Sequence, residues 1–230
     1  MKLETLSQIN AERAARRPVI VITDVVDGSQ RMVKARDIAA DPLQAELAKQ
    51  LRTGKSGMIE AGGNKLFLNV YAPTARLVII GAVHISQALA PLARSLDYDV
   101  YVVDPRTAFA SPERFADVPL FADWPDVALP PLNVDRYTAF AALTHDPKID
   151  DPALLHAFER DCFYIGALGS RKTHAKRGER LKAQGATDAD IARIHAPIGL
   201  NIGAVSPSEI AVAIMAEITA TLRLPIERAA

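Results

Sequence analysis

From Arg76 onward the chain repeats one pattern: a short, nearly unbroken apolar run, then a segment with helical periodicity. "RLVIIG" leads into "HISQALAPLARSLD", and "DVYVVD" comes next. "YTAFAALTHD" leads into "DPALLHAFERD", and "CFYIGAL" leads into "SRKTHAKRGERLKAQG". Strands that are apolar on both faces have to be covered on both faces, and the segments between them supply the covering helices. The pattern predicts an α/β fold, with a Rossmann-type three-layer domain built on a parallel sheet. Ligands of such domains bind beyond the carboxyl ends of the strands.

The remaining segments complete that frame. The Pro-rich span from Pro105 to Pro131 is expected to be irregular, with one short strand at "VPLFAD". "TDADIARI" predicts a short helix capped by Thr187, and "IHAPIGLNIGAV" a structureless stretch. "SPSEIAVAIMAEITATLR" predicts a long closing helix, with Ser206 as cap and Pro207 in its first turn. Ahead of this domain, residues 1–73 read as a small α+β module, with the boundary near "YAPTAR" and the Rossmann-like part at 74–230. An opening amphipathic helix precedes a strand at "VIVITDVV", a turn at "DGS" and a partner strand around "QRMVKA". "DPLQAELAKQLRTG" fits a helix with Asp41 as N-cap and a glycine stop. "GMIEAGGNKLFLNVYAP" splits at "GGN" into a hairpin.

Composition narrows the setting. The 230 residues carry 27 basic and 27 acidic side chains, so no global charge favours nucleic acid or an anionic membrane. Cys162 is the single cysteine, which excludes an intrachain disulfide and points to a cytoplasmic protein. It opens an apolar strand and is expected in the core. No apolar run reaches the length of a membrane span. The histidines are dispersed and lack zinc-type spacing, so no metal site is expected.

Four strand ends carry the candidate chemistry. In "IGAVHIS" the positions of the usual three glycines hold Gly81, Val83 and Ser86. A β-branched Val83 stands where a pyrophosphate must approach the backbone, while Ser86 is small enough for close helix–strand packing. His84 reads as a cap, a core residue or a ligand contact. Asp104 lies 23 residues beyond Gly81, where an acidic residue can accept bonds from ribose; it could equally be tied to Arg106. Thr144, His145 and Asp146 leave the next strand; His145 and Asp146 read as an acid–base pair, or Asp146 or Asp150 as a turn or cap. "YIGALGSRKTHAKRGERLK" places Gly166 and Gly169 before Ser170, Arg171 and Lys172 at a helix start. Cations there oppose the helix dipole, so a compensating anion is expected, against the alternative of a solvated basic face. Lys176, Arg180 and Lys182 fit that solvated face. Gly199 and Gly203 sit in a Pro/Gly-rich stretch that either wraps a ligand or serves as a rigid connector.

"LVIIGAVHISQALAPLARSLDYDVYVVDPR", "YIGALGSRKTHAKR" and "IHAPIGLNIGAVSPSEIAVAIMAEI" together resemble the XdhC/CoxI family, over residues 76 to 222. Gly81, with Ala82 beside it, and His84 match the family's glycine–histidine loop. Asp104, Pro105 and Arg106 match the exit of its second strand. Gly166, Gly169, Ser170, Arg171 and Lys172 match its Gly-Ser-Arg segment, with a lysine for one arginine. Pro197, Gly199, Gly203, Pro207 and Glu209 match its closing motif, where Asn201 replaces an aspartate and Ser208 a glutamate. Val83 and Ser86 replace glycines, and the N-terminal module lacks the family's Gly-rich cysteine segment.

The resemblance implies an accessory protein for maturation of xanthine dehydrogenase and related molybdenum hydroxylases. Such a protein binds molybdenum cofactor (a molybdopterin, with a dinucleotide form possible), protects it and supports its sulfuration by a cysteine desulfurase. It delivers the cofactor to the hydroxylase apoenzyme and acts as a homodimer. On this reading the chain is a carrier with no catalytic residue. The alternatives are an NAD(P)-binding oxidoreductase, with His145 as proton relay, and a nucleotide-sensing assembly protein.

Overall fold

The computed structural model describes residues 3–224. The chain divides into two compact units. One reaches to Pro73 and takes in the end of the last helix from Leu222; the other spans Thr74–Thr221.

In the first unit, helix α1 (Leu3–Ala14) precedes strands β1 (Val19–Asp24) and β2 (Gln30–Lys34). Helix α2 (Gln44–Thr53) and the hairpin β3 (Gly57–Ala61) and β4 (Asn64–Tyr71) follow. The four strands form one sheet in the order β2-β1-β4-β3, and every pairing is antiparallel. β1 is apolar on both faces because both are covered. Ile20 and Ile22 pack with Leu68, Ile38 and Leu47, whereas Val19 and Val21 pack with Ile9. Asp41 lies two residues ahead of the observed N-cap, Leu43, and so is not the predicted cap. Its carboxylate instead holds the Leu43 N–H at 2.9 Å and the Arg31 guanidinium, an ion pair that outcompetes the cap. Gly54, at φ +65°, stops α2 as expected.

The second unit contains β5 (Arg76–Ile80), α3 (His84–Ser95), β6 (Asp99–Val103), β7 (Leu120–Phe121), α4 (Pro125–Leu132) and β8 (Thr138–Ala142). It continues through α5 (Pro147–Glu159), β9 (Tyr164–Ala167), α6 (Arg171–Ala183), α7 (Asp188–Ala192), β10 (Ile194–His195) and α8 (Pro207–Arg223). All six strands are parallel, in the order β7-β6-β5-β8-β9-β10. This is the dinucleotide-fold order, and the direction of winding reverses between β5 and β8. Val78, Ile80, Phe140, Ala142, Ile165, Ala167 and Ile194 join one core with Leu129 of α4, Ile149 and Leu154 of α5, and Leu181 of α6. Leu77, Ile79, Ala139 and Ala141 alternate with them, point to the other face and are equally buried.

Three segments depart from the sequence expectation. α4 begins within the span expected to be irregular and runs one residue past its end. Pro125 sits in its first turn, where no N–H is needed, and Asn133 ends it in a left-handed conformation at φ +45°. α5 begins at Pro147 rather than Asp151, because Asp146 caps it through the Lys148 N–H. The stretch expected to be structureless opens with β10, which extends the sheet by one edge strand.

The winding reversal requires two strand exits to pass close together. Gly81 adopts φ +110°, and a Cβ there would stand 2.8 Å from Thr144 Cγ2. Gly81→Ala is therefore expected to lose about 1–3 kcal/mol in urea unfolding, from left-handed strain and overpacking. A loss under about 0.5 kcal/mol, the range of a neutral surface change, would mean that the two exits part freely.

Candidate functional site

The carboxyl rim is organised by buried carboxylates that collect loop donors. Asp104, fully buried at the end of β6, is the first. Its Oδ2 accepts from the Ala82 N–H at 2.7 Å and from Arg106 Nη2 at 2.7 Å. Its Oδ1 accepts from the Arg106 N–H and from Nε, both at 2.9 Å. Four bonds fill the four acceptor directions of a carboxylate. Asp104 thus has no free lone pair for a ribose hydroxyl, and one backbone donor of the glycine loop is already taken. Burial opposes its charge, but the Arg106 guanidinium and the Ala82 N–H outweigh that and hold its pKa below the ordinary value. The Arg106 guanidinium also lies over the Phe109 ring, 4.5 Å from its centroid.

Ser86 is fully buried, and its hydroxyl donates to the Gly81 carbonyl at 2.5 Å, which closes the helix onto the strand. His84 is the first residue of α3 and is exposed, so it is neither cap nor core.

Asp150 does the same work at the exit of β8. Its Oδ1 accepts from Thr144 Oγ1 at 2.7 Å and its Oδ2 from the His145 N–H at 3.1 Å. These bonds hold His145 in a left-handed conformation, φ +64°, with its side chain exposed. Asp146 is occupied as the cap of α5, so the structure does not make His145 and Asp146 an acid–base pair. Burial pushes the Asp150 carboxyl above its ordinary pKa despite the Thr144 bond and the nearby Arg177 charge. Arg177, 2% exposed, donates through Nη2 to the Leu168 carbonyl at 2.7 Å, which fixes the start of the β9–α6 turn.

That turn carries the residues with the strongest charge signal. Gly166 is needed inside the protein: a Cβ there would meet Ile198 at 2.5 Å and the Tyr164 hydroxyl at 2.7 Å. Gly169 turns the chain at φ +125°, and Ser170 caps α6 by accepting from the Thr173 N–H at 3.2 Å. Arg171 and Lys172 are exposed in the first turn, which holds no acidic residue. Among the described residues neither cation has a protein partner. The charges farther along divide: Arg180 pairs with the buried Asp151 at 2.6 Å, whereas Lys176 and Lys182, the latter paired with the exposed Asp188, stand on the solvated face.

Sequence reasoning missed a group on the other face of β9. Glu217 Oε2 accepts from the Tyr164 hydroxyl at 2.6 Å and from the Gly199 N–H at 2.8 Å. Its Oε1 lies 3.1 Å from His195 Nδ1, and the Tyr164 and His195 rings stack with centroids 4.6 Å apart. Burial opposes the Glu217 charge, but His195, Tyr164 and Gly199 together keep its pKa below the ordinary carboxylate value. A lone carboxylate within the apolar run "AIMAEITA" was the available signal. Gly199 approaches α8 so closely that a Cβ would lie 3.0 Å from the Ala213 carbonyl carbon, whereas Gly203 faces open space. The loop between them exposes Leu200 and Ile202. Cys162 is buried and its thiol is pushed up to about 12 by that burial, as a core residue. Among the described residues no group of three or more His, Cys, Asp or Glu is placed to hold a metal, and no helix is long and apolar enough to cross a membrane.

Residues 77–218 match the family model of the XdhC Rossmann domain. The chain belongs to the XdhC family. Its relatives include the uncharacterized protein YqeB of Escherichia coli, 34% identical over 68% of this chain and 29% of that protein. The molybdenum cofactor insertion chaperone PaoD of E. coli is 32% identical over 67% of this chain and 42% of its own length. A probable xanthine dehydrogenase subunit of Bacillus subtilis is 31% identical over 68% and 46% respectively. The matches thus span less than half of each of these relatives. The crystal structure of a xanthine dehydrogenase from Bacillus halodurans shares the fold at a TM-score of 0.67 and 22% identity. It covers 99% of this chain and 66% of that one.

The Asp104 fastener of this XdhC-family domain makes a prediction about acid. A carboxylate whose folded pKa is lowered contributes stability above its unfolded pKa of about 3.9, and loses it as pH falls through the folded value. Asp104→Asn is expected to cost on the order of 2 kcal/mol at pH 7. The gap from wild type should narrow as pH drops below about 4. Urea unfolding across pH checks this; a gap that stays constant into acid would assign the loss to packing.

Proposed function

We propose that this chain carries a molybdenum cofactor and hands it to a molybdenum hydroxylase apoenzyme. One observation carries the reading: the start of α6 presents Arg171 and Lys172, with no partner among the described residues, at the carboxyl rim of the sheet. A helix start already favours anions, and two added cations strengthen the preference for a phosphate such as the one on molybdopterin. The residues present fit such a ligand. Ser170, Arg171 and Lys172 would hold the phosphate, Gly169 gives the backbone its turn, and the loop from Gly199 to Gly203 offers bare backbone and exposed apolar side chains to a planar ring. When bound in a hydroxylase, the cofactor supplies the metal centre for oxygen transfer; here the protein's part is to bind, orient and shield.

Family membership and the name of PaoD support the same direction. Arg106, Thr144, His145, Gly81 and Ala82 line the neighbouring exits and would frame the ligand rather than grip it, because Asp104 and Asp150 hold the Ala82 and His145 N–H groups, the Thr144 hydroxyl and most of the Arg106 donors, and the Val103 carbonyl holds the Gly81 N–H. We further propose a cysteine desulfurase as the source of cofactor sulfur, a homodimer as the working form, and residues 74–230 as the cargo-binding part. An NAD(P)-linked oxidoreductase finds less support: the acidic residue that would accept ribose hydroxyls has all four acceptor directions filled by protein donors.

Anaerobic purification followed by molybdenum analysis and pterin fluorescence tests the proposal, with NAD(H) titrated on the same sample. Stoichiometric pterin, or saturable uptake of added cofactor, is expected. Tight dinucleotide binding without pterin would overturn it. In the double variant Arg171→Ala with Lys172→Ala, affinity for the cofactor is expected to fall at least about tenfold, the worth of one charge-assisted hydrogen bond. The circular dichroism spectrum and Tm should stay unchanged, since both side chains are exposed.

A further inference from the structure

Among the described residues Arg177 is the only buried lysine or arginine, and it forms no ion pair. Its Nη2 donates to the Leu168 carbonyl at 2.7 Å, while Nε and Nη1 are buried without a hydrogen-bond partner. Asp151 is held by Arg180, and Asp150 engages Thr144 and His145; both carboxylates act on the Arg177 charge only from beyond ion-pair distance. Burial lowers the Arg177 pKa, but a guanidinium stays protonated inside a protein. A buried charge with orphaned donors costs the fold free energy, so stability does not account for its presence.

The charge is delivered to the start of α6. Side chains on a helix lean toward its N-terminus. Arg177 leans so far back that it reaches Leu168, nine positions earlier and just ahead of the Ser170 cap. The guanidinium therefore lies beneath the turn that opens the helix, whereas Arg171 and Lys172 stand exposed on that same first turn. His174, one turn nearer the helix start than Arg177 and on the same face, registers the charge. Its Nδ1 is also buried without a partner, and its pKa is lowered by burial and by the Arg177 charge.

We infer that Arg177 is a third cation of the anion site at the start of α6, one that attracts the ligand phosphate through the protein interior without touching it. The inference rests on the carrier reading and deepens it by naming the residue that gives the site an affinity salt does not remove. Surface charges act through water and are screened by salt, whereas a buried charge acts through a medium of lower dielectric and is screened much less. The two sets divide the work. Arg171 and Lys172 supply the salt-sensitive part of the attraction, and Arg177 supplies the salt-resistant part.

Titration of the full chain with inorganic phosphate, followed by phosphorus NMR at about 0.05 M and about 0.5 M salt, separates the two sets. Arg177→Gln removes the charge and keeps an amide donor; it is expected to bind phosphate about tenfold more weakly, by the same factor at both salts. Arg177→Lys keeps the charge and is expected to restore most of that affinity. An arginine that only held the turn in shape would act through Arg171 and Lys172, and the loss in Arg177→Gln would vanish at high salt; that result overturns the inference. The double variant Arg171→Ala with Lys172→Ala tests it without disturbing the interior. Residual phosphate binding that is nearly flat with salt is expected there, and complete loss overturns the inference. If the wild-type chain binds inorganic phosphate but not a pterin phosphate, the part of Arg177 in the anion site stands and the carrier reading falls. If it binds neither probe, both fall.

Discussion

Buried backbone N–H groups must find acceptors, and at the carboxyl ends of a parallel sheet the strands can no longer supply them. In this protein, carboxylates take over. Asp104 receives the N–H groups of Ala82 and Arg106, Asp150 that of His145, and Glu217 that of Gly199. Each also binds a side chain from a different part of its surroundings: Arg106, Thr144, or Tyr164 and His195. The loops of the rim are therefore pinned from beneath. Their conformations, including the left-handed His145, follow from where the carboxylates sit.

Pinning decides which polar groups remain for a ligand. Along β5 and β6 the fasteners use nearly everything: the first free N–H of the glycine loop and all of the Asp104 acceptor capacity are taken up internally. Along β9 and β10 they leave the outward-facing groups free. Arg171 and Lys172 have no counter-charge among the described residues. The fold is of the dinucleotide type in its strand order, but the chemically open half is displaced from the winding reversal toward the β10 edge.

The layered architecture was legible in the sequence because strands buried on both faces leave a continuous apolar signal, as in "RLVIIG" and "YTAFAAL". The helix caps Thr187 and Ser206 were legible for a similar reason: the side chain meets its own backbone three residues on. The sequence hid what depends on distant partners. α4 was lost among prolines that happen to fall in its first and last turns. β10 is only two residues long and exists because β9 is there to pair with it. The strand-end positions of Gly81, Asp104, Thr144 and Ser170 could be read locally, but not their occupancy. That Gly166 faces Ile198, and that Glu217 reaches Tyr164 across 53 residues, are properties of packing that no spacing rule encodes.

The contrast between buried fasteners and exposed cations also bears on how tightly such a site can hold its ligand. Asp104 with Arg106 is a shielded pair, and salt screens it little. Arg171 and Lys172 are solvated, so each gives a modest, salt-sensitive attraction and loses little when the anion leaves. A preorganised rim with solvent-exposed charges combines a defined ligand pose with ready release. An enzyme that must hold a resident cofactor through many turnovers gains from burying its phosphate contacts; a carrier that must give its ligand up to a partner gains from leaving them at the surface. The placement of the two cations is physically suited to the second task.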